Sequence, residues 1–174
     1  CRQMSWISAW GIIRAAGITA YIMLFFSVIL GMFYYGQLFP KKVGNILLPI
    51  HQITGWSGFL FGLVHGVSLY VDSFMPFQIH AIFIPFTAKY KPLFTGLGTI
   101  TLYLFFILLF TSDFIRPFGR RLWRAIHYLS FPAFVFAFIH GYFSGTDSKF
   151  MWAKAIYFST LFIFIIAVLF RVFL

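Results

Sequence analysis

Four of the five histidines in this 174-residue chain fall inside two long uncharged runs, His51 and His65 in one, His127 and His140 in the other. An imidazole among apolar groups is costly unless its nitrogens find partners, and a neutral ring keeps one lone pair free for a metal. Fourteen residues separate His51 from His65. On an α-helix, at ~100° and ~1.5 Å per residue, that step returns the second ring to within ~40° of the first, ~21 Å further along the axis. His127 and His140 are 13 residues apart, or ~19.5 Å, so the levels match. With one antiparallel helix between them the two histidine helices run in the same direction, which puts His51 level with His127 and His65 level with His140. Each pair offers nitrogens from two sides, the axial arrangement of a six-coordinate haem iron between helices. Zinc fits less well, because two imidazoles leave a tetrahedral ion short of ligands and no carboxylate or thiolate lies at that depth. The chain has no C-x-x-C-H for covalent attachment, so two b-type haems are the expected cofactors. One step needs adjustment: 13 residues turn an ideal helix ~220°, and Pro132, between them, removes a helical hydrogen bond and is expected to permit a bend or local change of winding that brings His127 and His140 back towards one face.

The elements that must position these rings are set by composition. Residues are 61% hydrophobic and only 9% charged, against roughly a quarter charged in water-soluble domains, which excludes a soluble globule. No Asp, Glu, Lys or Arg occurs in 15–40, 43–71, 92–112, 125–146 or 155–170. Each run matches a helix able to cross a ~30 Å hydrocarbon layer, and five such runs mean a helix bundle rather than a barrel. The expected fold is an all-α, polytopic transmembrane bundle of five spanning helices forming a single domain over 1–174. The segment 72–91, with Pro76 and Pro85, is too short to span in its uncharged part and is expected as an interfacial cap, where His80 has a solvated or loop-packing role.

Thirteen Lys and Arg against three Asp and Glu give a net charge of +10. These cations sit between apolar runs, so the partner they imply is anionic membrane lipid and not nucleic acid. The side with the N-terminus carries six of them (Arg2, Arg14, Lys89, Lys91, Lys149, Lys154) and the other side seven (Lys41, Lys42, Arg116, Arg120, Arg121, Arg124, Arg171). The compact Arg116 to Arg124 cluster marks its side as cytoplasmic, with haem propionates or an electron donor as further partners for it.

Gly55, Gly58 and Gly62 follow His51 at +4, +7 and +11, baring the ligand face either for close helix packing or for a flat macrocycle. Phe131, Phe134 and Phe138 take comparable offsets from His127, and core filling is their expected role. Asp72, Asp113 and Asp147 are too dispersed to form a carboxylate pair. The single cysteine, Cys1, excludes an internal disulfide or a cysteine metal cluster. Its place where a Met is usual suggests a processed or trimmed chain, with N-terminal lipidation a weaker option.

With these residues in hand, the sequence resembles the ferric-reductase-like transmembrane family, which includes the membrane portions of NADPH oxidases and ferric reductases and the haem subunit of the bacterial methionine-sulfoxide reductase system. The resemblance rests on a Trp followed by G-I-I-R-A-A-G over Trp6 to Gly17, the His51 and His65 pair, P-F-T-A-K-Y-K-P-L-F-T-G-L-G at Pro85 to Gly98, W-R-A-I-H-Y at Trp123 to Tyr128, and H-G-Y-F-S-G-T-D at His140 to Asp147. It implies haem ligation by His51 with His127 nearer the cytoplasm and by His65 with His140 on the outer side, in a multi-pass protein of the cell membrane. It also implies electron passage from an inner donor to an outer acceptor. Oxidases of the family carry a flavin and nicotinamide domain after the last helix, and many relatives have six spans where five are read here. The expected donor is therefore a separate flavoprotein or a quinone, the latter if the chain is a membrane subunit serving a separate outer oxidoreductase. From other classes, a histidine-lined transporter or proton channel and a purely structural anchor fit the same apolar runs.

Overall fold

The computed structural model describes residues 9–36, 39–72 and 76–173. Cys1, Arg2 and Trp6, with the expectations attached to them, lie outside the described residues. The chain is all-α, with no strand among the described residues, and five of its helical stretches are long and apolar enough to cross a membrane. The crossings are Trp10–Tyr35, Lys41–Val71, Pro92–Asp113, Gly119–Ser144 and Met151–Arg171.

Helix α1 (Ala9–Tyr35) is apolar on every side and stands at the centre. Half of its spanning stretch is buried, against 17% to 28% of the other four, and it packs on α2, α6 and α7. Helix α2 (Lys41–Val71) has two faces. Ile46, Ile50, Ile53, Leu60, Val64, Val67 and Val71 are exposed, while His51, Gly55, Gly58, Gly62 and His65 fall on the opposite side at ~100° per residue. The branched face is suited to acyl chains, and the glycine face lets α2 lie close against α1.

The cap contains one short helix, α3 (Ile79–Phe83), on which His80 is exposed. It is fastened to the bundle through backbone acceptors: Lys91 Nζ donates to the Phe143 carbonyl at 2.6 Å, Tyr90 OH to the Ser144 carbonyl at 3.3 Å, and Thr99 Oγ1 to the Ile82 carbonyl at 3.0 Å. Helix α4 (Pro92–Asp113) starts with proline, whose missing N–H has no helical partner at that position.

The fourth crossing comes in two pieces, α5 (Ile115–His127) and α6 (Ser130–Ser144). Near the start of α5 the chain turns at Gly119, whose φ of 74° is a conformation glycine adopts readily. The change of winding lies at Tyr128 and Leu129, upstream of Pro132, which sits in the first turn of α6. Proline is the cause. It has no N–H to give the Tyr128 carbonyl, which instead accepts from Phe131 at 3.2 Å, while Leu129 N–H reaches back to Ile126 at 2.9 Å. These three-residue steps wind at roughly 120° per residue instead of ~100° and supply part of the turn that an ideal helix lacks between His127 and His140. A short 3₁₀ turn (Thr146–Lys149) leads into α7 (Met151–Phe173).

The core joins α1, α4, α6 and α7 through Tyr21, Phe25, Phe105, Phe134, Phe138 and Phe164. Phe134 is fully buried, its ring 4.5 Å from Phe164, 5.7 Å from Tyr21 and 6.0 Å from Phe25. Phe134 and Phe138 thus fill the core, and Phe131 lines a cavity beside His127. Phe134→Ala is expected to destabilise the bundle by about 2–4 kcal/mol in reversible detergent unfolding. That is somewhat below the ~3–5 kcal/mol of aqueous cores, because lost packing contacts remain while most of the transfer from water does not.

Candidate functional site

The structure brings the four intramembrane histidines together as two facing pairs. His51 and His127 have ring centres 6.1 Å apart with planes at 68°, at the end of the bundle carrying the arginine cluster; His65 and His140 are 6.0 Å apart at 76°, at the cap end. A metal–imidazole bond of about 2 Å plus roughly 1.1 Å from nitrogen to ring centre places two rings sharing one metal about 6 Å apart. Both pairs have that separation. No group of three or more His, Cys, Asp or Glu side chains comes together as a metal cage among the described residues. The donor set is therefore two imidazoles per site, which suits a metal whose other ligands come with a macrocycle.

Three of the four rings are held in the same manner. His51 Nδ1–H donates to the Ser27 carbonyl at 2.7 Å, His65 Nδ1–H to the Ile13 carbonyl at 2.9 Å, and His140 Nδ1–H to the Phe94 carbonyl at 2.9 Å. A carbonyl can only accept, so the proton must reside on Nδ1, and Nε2 keeps its lone pair for a metal. Four residues after each accepting carbonyl stands a glycine: Gly31 after Ser27, Gly17 after Ile13, Gly98 after Phe94. A Cβ at Gly31 would lie 3.0 Å from His51, at Gly17 2.9 Å from His65, and at Gly98 2.6 Å from His140. The missing side chain is what lets each ring reach the backbone of the neighbouring helix. The interval from Gly17 to Gly31 on α1 equals that from His51 to His65 on the antiparallel α2.

The fourth ring differs. His127 Nδ1 is buried with no hydrogen-bond partner, and the ring is stacked on Trp123 with centres 4.9 Å apart and planes at 29°.

Each pair borders a cavity. The cap-end cavity is lined by His65, His140, Gly17, Gly98, Arg14 and Asp147, the arginine-end cavity by His51, His127, Gly31, Trp123, Arg124 and Arg171. Including the open space at their mouths they span about 1460 Å³ and 1750 Å³. Leu24 and Phe105 line both and separate them. Of the three glycines noted on α2, Gly55 borders the arginine-end cavity and Gly62 the cap-end one. Gly58 also borders the cap-end cavity and serves helix packing as well, since a Cβ there would meet the α1 backbone at Leu24 N (3.3 Å) and Ala20 O (3.4 Å).

An ion pair not anticipated from sequence joins the two walls of the cap-end cavity. Arg14 Nε–H donates to Asp147 Oδ2 at 2.8 Å, and a second guanidinium N–H donates to Oδ1. Arg14 follows Ile13, which holds His65, and Asp147 lies just beyond α6, which carries His140. The pair ties the supports of both rings together. The Arg116, Arg120, Arg121 and Arg124 side chains are exposed at the other end.

Comparison with known proteins identifies a family. The family model of the ferric reductase like transmembrane component matches residues 16–138, a stretch that contains His51, His65 and His127 and ends two residues before His140. No curated protein and no solved structure matches the chain. The family comprises transmembrane electron-transfer proteins that are generally haem-binding. Five apolar crossings and a family match over most of the sequence make this chain a membrane protein belonging to the ferric-reductase-like transmembrane family.

Proposed function

We propose that the protein carries single electrons across the cell membrane by way of two b-type haems, one held by His51 and His127 and the other by His65 and His140. The observation that supports this reading most is the duplicated pair of facing imidazoles, 6.1 Å and 6.0 Å apart. The arginine end faces the cytoplasm and meets the donor, a separate flavoprotein or a quinone. The cap end faces outward, where the acceptor is reduced.

Haem bound there would supply a one-electron couple whose potential depends on the histidines that hold it and on the local dielectric. The chain's own contribution is positioning. The Ile13, Ser27 and Phe94 carbonyls fix the tautomer and aim of three rings, which makes those imidazoles more basic donors. Leu24 and Phe105, both buried, keep the region between the two sites apolar and dry. Arg124 and Arg171 line the arginine-end cavity and offer guanidinium forks to propionate carboxylates.

Purification with haem supplied during expression, followed by haemochrome quantitation and reduced-minus-oxidised spectra, tests the reading. Two haems per chain with low-spin, bis-imidazole spectra are expected. A stoichiometry of one removes one pair from the proposal. A folded protein that takes up no haem favours a histidine-lined transporter instead.

A further inference from the structure

The three carbonyl-and-glycine supports follow a register that defines a fourth position. On α1 the accepting carbonyls, Ile13 and Ser27, are separated by the same interval as His51 and His65, and so are Gly17 and Gly31. On α4 the cap-end support is Phe94 with Gly98, and one such interval further along lie Leu108 and Ser112. Both border the arginine-end cavity together with His127. The equivalent support is therefore present in the backbone but closed by side chains. Ser112 stands where the other three positions have glycine, and its hydroxyl donates to the Leu108 carbonyl at 2.7 Å. The Ser112 oxygen in turn accepts from Trp123 Nε1–H at 3.1 Å, and the same indole stacks on His127. Carbonyl, hydroxyl and indole satisfy one another, and His127 Nδ1 is left buried without a partner.

We infer that Ser112 and Trp123 are positioning residues that keep His127 off the Leu108 carbonyl, making it the least basic of the four imidazole ligands and giving the two haem sites unequal potentials. This inference rests on the haem reading above. A carbonyl bonded to Nδ1–H raises the basicity of the ring and favours the oxidised metal. The cap-end site has two such rings, the arginine-end site one. Ser112 and Trp123 thereby raise the potential of the arginine-end haem relative to what a fourth carbonyl support would give.

The test uses full-length holoprotein and potentiometric titration followed by visible and low-temperature EPR spectra. Ser112→Gly opens the fourth support, and Trp123→Phe keeps a stacking ring while freeing the Ser112 oxygen to accept from His127. In each, the potential of the haem on His51 and His127 is expected to fall and its low-spin EPR signal to move, with the cap-end haem unchanged. Ser112→Thr keeps the hydroxyl and is expected to behave as the parent. Repeating the Ser112 variants in a His65→Ala background assigns the signal to the remaining site. A parent protein with fewer than two haems defeats the haem reading itself. Two haems with potentials and EPR signals unmoved, raised, or shifted equally at both sites defeat this inference, and Trp123→Phe decides the matter if Ser112→Gly does not fold.

Discussion

A chain carrying His65→Ala is expected to bind one haem where two are proposed for the parent, and His51→Ala is expected to lose the other one. Each proposed site has two protein ligands, with no third His, Cys, Asp or Glu grouped beside them among the described residues. Removing one imidazole would leave haem at that site with one protein ligand in an open, largely apolar cavity. Haem content should fall by about half, with the remaining spectrum still low-spin, because the second pair lies ~21 Å along α2 and keeps both its ligands. The matched control is His80→Ala, since His80 is exposed on α3 away from both pairs, and it should leave the content unchanged. Retention of two haems in His65→Ala would remove His65 from the ligand set, and loss of one in His80→Ala would show that the loss is not specific to the paired histidines.

Gly98→Val is the second large effect. The first carbon of the new side chain would stand 2.6 Å from His140 Cε1 and Nδ1, closer than packed atoms tolerate. The ring cannot step back without giving up the Phe94 carbonyl at 2.9 Å. Breaking that bond in a buried place costs about 1–3 kcal/mol, and overpacking adds roughly 1–3 kcal/mol. The cap-end haem should be lost or turn high-spin, and the apoprotein should unfold at lower denaturant. Gly44→Ala, where the nearest atoms are 3.8 Å away on Tyr34, should change neither property. An unaltered cap-end spectrum in Gly98→Val would show that the carbonyl support of His140 is dispensable.

The helices and the adjacency of the rings were legible in sequence because both follow from one-dimensional quantities. Charge-free lengths define crossings, and on a regular helix the step from His51 to His65 fixes direction and depth. The supports were not legible, because the glycines that matter most lie on the helices facing the histidines. Reading along α2 finds Gly55, Gly58 and Gly62, whereas the rings rest against Gly17, Gly31 and Gly98. The signal was available, since Gly17 and Gly31 repeat the histidine spacing, but it acquires meaning only once α1 is known to run antiparallel to α2. For the winding change Pro132 is the cause, and the backbone responds at Tyr128 because a proline deprives the carbonyl four residues before it. The Arg14–Asp147 pair joins residues 133 positions apart, and no local pattern announces it.

The contrast between α2 and the broken α5–α6 crossing has a mechanical consequence. His51 and His65 share one unbroken rod, so sliding or tilting that rod, as bilayers of different thickness demand, displaces both rings in concert. His127 and His140 stand on separate segments joined at an articulated elbow, so either can be re-aimed alone. Substitutions that would retune one of the proposed redox centres independently belong near that elbow, and those that would move both together belong on the rod.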